Sequence, residues 1–518
     1  MDKRTILAIA LSLLVLLAWS AIAPKTQPIA SKEVTTKTLV LEQGRAEPAT
    51  YLQTEPKIPD SSLFDYNQTN FTITFIEPQA AIKEITFKNH QNYKFKLENG
   101  FLLSDPSLSF QKESATSDTI TFVHKDQNKK ITKKFIFSKS SYAVELEINV
   151  QTESSLDIKP NLSLILGRLD FSMSNLESRY QDIVVGTQEK TNHFNGHKEL
   201  NFSEMKFLAL REKYFCAIIE PAYSTTTEST IDTRTAFIRK LNPQKSETGI
   251  TLPNIFLTPK QNVTKKFHIY LGPQELRMIN SVNPNWAGLV NYGTFDIISQ
   301  ILLQLLNFFH NIVHNWGWAI IILSLVTYLI LFPFTLKQMR SMKEMQMLQP
   351  KIEELRKTYK DNPQRLNKET LELYREHKVN PLGGCLPLLL QLPIFMALYN
   401  ALMRLVSLKG ANFLWIKDLS EPDKLFTVKW LPTTFPVISN EINLLPILMT
   451  IGMFVQQKIS TVPTSGSSAE QQKIMMIVFP LMFGFIFYRM PSGLVLYWFI
   501  NSALMLLYQI RAKKTVKT

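Results

Sequence analysis

The chain has 518 residues, 45% of them hydrophobic, and a formal charge of +14 at pH 7. That length fits roughly three domains, and the ordinary average hides charged, alternating sequence in the first half and long apolar runs in the second. Two cysteines, Cys216 and Cys385, support no disulfide framework and read as inert packing. No Gly is followed by Lys and no HExxH occurs, so neither a phosphate-binding loop nor a zinc-hydrolase helix is present, and no metal or cofactor is expected.

Lys3 and Arg4 precede an apolar run over 6–23, with Trp19 near its outer end. A cleaved signal peptide is one reading, but Pro24 fits a protease-bound strand poorly, so residues 1–24 are expected to be a retained first span with the N-terminus inside. Residues 25–60, rich in Pro, Thr, Lys and Glu, read as a linker.

Alternation of apolar and polar residues then predicts strands at 71–75, 82–88, 93–97, 119–123, 131–137, 142–150, 162–166, 214–219, 235–239 and 263–271. Many short strands without an intervening helical period imply a large antiparallel β-sandwich over 61–290, outside the cytoplasm. His90, His124, His193, His197 and His268 lack metal-ligand spacing and read as scattered surface residues. A sugar- or peptide-binding cleft is open to such a domain.

Residues 291–314 place Ile298, Ile301, Leu302, Leu305, Leu306, Phe309 and Ile312 at helical spacing. They predict an amphipathic helix on the outer membrane surface, with a buried bundle helix as the alternative. Residues 315–335 follow as a second span. Ser324, Thr327 and Tyr328 stand there at i, i+3 and i+4, hence on one face, which should turn toward protein or water. Back-bonding of Ser324 and Thr327 to their own helix is the competing reading.

In 336–380, Lys and Arg outnumber Asp and Glu, which marks the cytoplasmic side. The apolar spacing there, broken near Asp361-Asn362-Pro363, predicts a helical hairpin with a soft surface of Met339, Met342, Met345 and Met347. A third span is expected at 381–407, an outer loop with Trp415 and Trp430 at 408–441, and a fourth span at 442–456. A cytoplasmic loop at 457–473, a fifth span at 474–489, a sixth at 490–510 and a basic tail at 511–518 complete the chain. The fourth and fifth spans are short for a bilayer. Arg404 and Arg489 fall near outer ends, where long side chains reach the interface. Gln391 lies in the third span, and Tyr497, Trp498 and Asn501 in the sixth. Converging uncharged polar groups from three spans would line a wet concavity. The absence of Asp and Glu from these spans argues against an ion-coupled transporter.

Together these residues resemble the YidC membrane protein insertases. The resemblance is carried by Asn315-Trp316-Gly317, Met347-Leu348-Gln349-Pro350-Lys351-Ile352 and Asn380 to Cys385 with Pro387. Gln391-Leu392-Pro393-Ile394-Phe395 and Pro491-Ser492-Gly493-Leu494-Val495-Leu496-Tyr497 complete it. It implies a multi-domain membrane protein: an all-α six-span bundle, an antiparallel β-sandwich (super-sandwich) in the periplasm and a cytoplasmic helical hairpin. It further implies a multi-pass protein of the bacterial inner membrane, not an enzyme, that inserts and folds other membrane proteins through a hydrophilic groove. Its implied partners are nascent membrane proteins, the Sec translocon, the ribosome and membrane lipids, without a small-molecule cofactor. Ser324, Gln391 and Tyr497 match the family's polar groove positions; Thr327, Tyr328, Trp498 and Asn501 are the further groove candidates. The sequence departs at Tyr328, where family members usually carry an Arg. Lys337 and Arg340, at the cytoplasmic mouth, are the candidates to substitute. A solute transporter or carbohydrate-binding membrane receptor is the alternative, with a passive Sec scaffold as a third reading.

Overall fold

The computed structural model describes residues 62–518 except 106, 140, 153–161, 171–179, 223–234, 253–261, 361, 378, 380–385, 428–440, 461–466 and 516–518. The expected first span, the linker, Cys385, Trp430 and the tail's last residues therefore lie outside the described residues, as do the side chains at 386–390 and 467–475. The chain forms two compact units, one β-rich and one helical.

In the β unit, the strands in chain order are β1 (Leu63–Asn67), β2 (Phe71–Ile76), β3 (Ala81–Phe87), β4 (Tyr93–Gly100), β5 (Leu102–Leu103) and β6 (Gln111–Ala115). Then come β7 (Thr119–Lys125), β8 (Lys129–Phe137), β9 (Ala143–Thr152), β10 (Ser163–Asp170), β11 (Asp182–Gly186) and β12 (Thr191–Phe194). The last are β13 (Leu200–Phe202), β14 (Phe207–Arg211), β15 (Phe215–Pro221), β16 (Thr235–Asn242), β17 (Lys245–Thr251) and β18 (Asn262–Pro273). They build a nine-stranded sheet in the order β12-β11-β14-β15-β18-β9-β8-β7-β6, a five-stranded sheet β13-β16-β17-β10-β5 and a four-stranded sheet β1-β2-β3-β4. The pairings in all three are antiparallel.

Aromatic side chains at alternate positions join the layers. Phe75 of β2 packs on Phe122 at 5.3 Å and Phe135 at 5.4 Å, and Phe87 stacks on Phe215 at 3.9 Å. Each is fully buried, and such pairs add about 0.5–1.5 kcal/mol beyond area burial. Lys133, also fully buried, projects from β8 into this layer and donates to the carbonyls of Ala80 (2.5 Å) and Phe101. Both acceptors have positive φ, 45° and 61°, so the ammonium ties down two turns that L-residues rarely adopt. Burial lowers its pKa to about 7.

Two histidines depart from the surface reading. His124 is 8% exposed and bonds the Ser109 carbonyl at 2.8 Å. His193, half-buried, faces Asp182, which also takes a forked pair from the guanidinium of Arg211. Burial pushes the Asp182 carboxyl up, but the Arg211 charge and the bonds from His193 and Arg211 outweigh it and hold the group far below the usual carboxylate range. His197 and His268 are exposed. Cys216 is fully buried, and burial raises its thiol pKa well above the usual value.

A short helix α1 (Leu276–Val282) closes the β unit. The helical unit contains α2 (Asp296–Val313), α3 (Trp316–Met347), α4 (Gln349–Thr358), α5 (Pro363–Glu376), α6 (Leu386–Arg404), α7 (Leu444–Ser460), α8 (Ser467–Phe487) and α9 (Ser492–Thr515). Helix α2 is two-faced: Ser299, Leu302, Leu303 and Leu306 are buried, while Ile297, Ile301, Phe308 and Ile312 are exposed. Its inner face meets α3 and α6, where the Ser299 hydroxyl donates to the Ala397 carbonyl at 2.9 Å.

Helix α3 does not stop where its apolar run stops; it continues through the basic residues to Met347, with Pro333 inside it. Helices α4 and α5 then pack around Leu348, Ile352 and Val379, with Met345, Leu373 and Tyr374 beside them. Asn362 starts α5 by accepting from the Arg365 N–H at 3.0 Å, with Pro363 at the first helical position. Met347 stays exposed. Helix α8 begins at Ser467, before its apolar run, so the helix is longer than the hydrophobic stretch suggests. By length and apolarity two described helices can cross a membrane, over Trp316–Met345 and Ser492–Arg511; Leu444–Ile459 and Met476–Phe487 are shorter apolar helices.

Within the described part of the segment before α7, Asp423 makes the ties. Asp423, 3% exposed, accepts the Trp415 indole N–H at 3.1 Å and the Leu445 N–H at 2.8 Å, so it holds Trp415 and the α7 N-terminus together. Trp415, half-buried, thus spends its one donor on a buried partner. Arg404 likewise donates to the Asn291 carbonyl at 2.6 Å.

Candidate functional site

Helices α3, α6 and α9 bring most of the polar candidates together. The side-chain amide of Gln391 on α6 donates to the Tyr497 hydroxyl on α9 at 3.0 Å. Thr327 of α3 and Asn501 of α9 lie near the same hydroxyl. Asn501 also donates to the Tyr497 carbonyl at 2.9 Å, one turn back along its own helix. Tyr497 is 0% exposed, whereas Gln391 and Asn501 are half-buried, so the cluster has a sealed centre and an accessible flank.

The hydroxyls of α3 divide by role. Ser324 is fully buried and donates to the Ile320 carbonyl at 2.7 Å. Thr327 donates to Leu323 at 2.9 Å and reaches Ser324 O at 3.0 Å. Back-bonding of this kind satisfies a hydroxyl where water is scarce. Ser324 therefore sits in the wall and does not line open space. Tyr328 differs: its hydroxyl oxygen is buried and, among the described residues, has no hydrogen-bond partner. A buried hydroxyl left unpaired costs about 1–3 kcal/mol. Its ring leans on Phe332 at 5.8 Å, and Phe332 meets Tyr508 edge-on at 5.2 Å.

Trp498 follows Tyr497 but points elsewhere, because successive helical residues are about 100° apart. It joins Phe395 (5.1 Å), Phe487 (5.3 Å) and Phe483 (5.7 Å), an aromatic cluster linking α6, α8 and α9. Sequence reasoning missed those three rings; Phe483 and Phe487 at i, i+4 were the available signal. Lys337 and Arg340 are exposed on α3 and stay apart from the cluster. At a rise of 1.5 Å per residue they stand about 14 and 18 Å from Tyr328 along the axis.

Close contacts at glycines hold α3, α8 and α9 against their neighbours. A Cβ on Gly317 would lie 2.0 Å from the Phe413 ring, and one on Gly484 would lie 2.2 Å from the Thr450 hydroxyl. Gly493 donates its N–H to the Leu419 carbonyl at 3.0 Å, and the Ser492 hydroxyl bonds the Asp418 carbonyl at 3.0 Å, which anchors the start of α9. In the β unit, a cavity is lined by Phe137, Glu145, His268 and Trp286 among others. No group of three or more His, Cys, Asp or Glu able to hold a metal occurs among the described residues.

Comparison with known proteins gives the family. Residues 57–305 match the family described as YidC periplasmic domain, and residues 308–518 match the 60Kd inner membrane protein family. The membrane protein insertase YidC of Pelobacter propionicus is 30% identical over 569 residues, covering 100% of both chains. The chain belongs to the YidC membrane protein insertase family. The YidC of Geotalea daltonii is also 30% identical, with 100% of both chains covered. That of Herminiimonas arsenicoxydans is 32% identical over 77% of this chain and 69% of its own. A crystal structure of an active YidC insertase aligns with a TM-score of 0.40 at 18% identity, covering 86% of this chain and 92% of that one. A galactose mutarotase-like protein from Lactobacillus casei aligns over 40% of this chain with a TM-score of 0.30. In YidC terms, the β-rich unit is the periplasmic domain and the helical unit is the C-terminal inner-membrane region.

Proposed function

We propose that this YidC protein inserts and folds inner-membrane proteins, and that the α3–α6–α9 polar cluster is the wall of its client groove. The observation that carries the reading is the Gln391–Tyr497 bond with Thr327 and Asn501 around it, uncharged polar groups gathered from three apolar helices. Unpaired polar groups in lipid cost several kcal/mol, so such a cluster earns its place by lowering the desolvation cost of a client's polar flank. The client's apolar segment would leave along α6 and α8, past the Phe395–Phe487–Trp498 rings, into lipid. Transfer of that segment to hydrocarbon supplies about 25 cal/mol per Å² of apolar surface.

In this reading the chain crosses the membrane six times, with residues 1–24 as the first span and α4–α5 as a cytoplasmic hairpin. The basic hairpin and tail would meet the ribosome and nascent chain, and the Sec translocon and lipids would be further partners. The family supports an insertase over a solute transporter or carbohydrate receptor.

The test is insertion of a single-span client by the purified protein in liposomes, with photocrosslinkers at 328 and 497. Client protection with crosslinks to both positions is expected. Solute flux without client insertion, or insertion without a crosslink from either position, would overturn the reading.

A further inference from the structure

We propose that the loop before α7 carries a lipid anchor: the hairpin tip at Leu414 enters the acyl region of the outer leaflet and ties the outer ends of α3, α7 and α9 to it. The proposal goes beyond the client groove and rests only on the reading that α3 crosses the membrane with this loop outside.

The tip is a tight turn with an unusual residue. Phe413 and Ile416 exchange two backbone hydrogen bonds of 2.8 Å, which leaves Leu414 and Trp415 as the turn residues. Leu414 takes φ 51°, a conformation that such turns normally give to Gly, Asn or Asp. It is also 73% exposed, while Phe413 and Ile416 are buried. A leucine there bears backbone strain, and in water it would also expose its hydrocarbon to solvent. Insertion into acyl chains removes the second cost and gives the side chain a use.

The surroundings point to lipid as the occupant. Trp318, in the first turn of α3, meets Phe413 edge-on at 5.6 Å. Trp318 is exposed, and so are Leu325 and Leu329, which fall within about 20° of it around the helix. This stripe is the face that an apolar spanning helix shows to acyl chains, and a Trp at its end suits the interface. Leu414, next in the chain to Phe413, continues that stripe beyond the helix end. Lys417 is exposed three residues on, with a stem long enough to keep its ammonium among phosphates while the tip lies deeper.

The tip is joined to three helices. Phe413 fills the space at Gly317 of α3. Trp415 donates to Asp423, which also accepts the Leu445 N–H at the start of α7. The Leu419 carbonyl accepts the Gly493 N–H at the start of α9.

The experiment places the full-length protein in nanodiscs of zwitterionic lipid, with Cys385→Ser and an environment-sensitive fluorophore on Leu414→Cys. Leu329→Cys on the α3 stripe is the lipid control, and Glu113→Cys, exposed in the β-rich unit, is the water control. At 414 the emission should shift to the blue of the label at 113. Lipid spin-labelled near the headgroup end of its acyl chain should quench it, and aqueous iodide should quench it less than at 113. In the unsubstituted protein, a lipid with a photoreactive group on its acyl chain should mark the peptide containing Leu414, a readout that needs no variant to fold. A label at 414 that behaves as at 113, or that neither quencher reaches because protein covers it, overturns the anchor, as does an unmarked peptide. A label at 329 that escapes the lipid quencher overturns instead the reading that α3 crosses the membrane.

Discussion

Gln391 and Tyr497 are 106 residues apart in the chain and meet through one hydrogen bond of 3.0 Å. That bond joins α6 and α9, which also meet through the rings of Phe395 and Trp498. Because Tyr497 is fully buried, removing Gln391 takes away its donor at a place where water cannot replace it.

Gln391→Leu and Tyr497→Phe should each lower the unfolding free energy in detergent by about 1–3 kcal/mol. The double variant should cost less than the sum, with a coupling of at least about 0.5 kcal/mol. A strictly additive pair would mean that the bond does not form in solution.

Gly317→Ala should destabilise the protein by about 1–3 kcal/mol, because its new methyl group meets Phe413 at 2.0 Å. Phe413→Ala on top of it should recover part of the loss. Thermal unfolding of the two variants and the combination measures this, and the absence of any recovery would reject the contact.

Lys133 makes stability of the β domain rise with pH. Its folded pKa is about 7, against 10.5 for the exposed group. Below 7 both states hold the proton, and the cost of a buried charge is fully present. Between 7 and 10.5 the folded state releases its proton and the unfolded state does not, so folding gains up to a few kcal/mol. Amide exchange of β8 in the full-length protein from pH 6 to 10 should slow relative to its intrinsic rate. Lys133→Met should flatten that trend.

Asp182 acts in the opposite direction. Its depressed pKa contributes stability that is complete above the ordinary carboxylate range and lost as pH falls toward the folded value. Asp182→Asn leaves the Arg211 charge buried without its anion and should cost about 3–5 kcal/mol at neutral pH. Chemical denaturation at pH 7 and pH 3 measures both effects; the variant should show little of the acid-side loss.

The β-rich half was legible because alternation at period two is a local signal. Strands β2, β7 to β9 and β18 each carry it, and antiparallel pairing follows from short connections. The helical half was legible as apolar runs, but the runs misjudge helix ends: α3 continues to Met347 and α8 begins at Ser467. Backbone hydrogen bonding continues wherever the chain can keep it, whatever the polarity of the side chains.

By itself, the sequence determined the two-part organisation, the uncharged apolar runs and the spacing of polar residues along each helix. Those properties depend on neighbours within a few turns. Only the tertiary structure decided that Gln391 meets Tyr497, that Ser324 closes on its own helix, and that the Tyr328 hydroxyl is left unpaired. It also put Trp498 among Phe395, Phe483 and Phe487 instead of beside Tyr497. Helical periodicity fixes which residues share a face; the rotation of each packed helix about its axis, set by close contacts such as Gly317 on Phe413, fixes what that face meets.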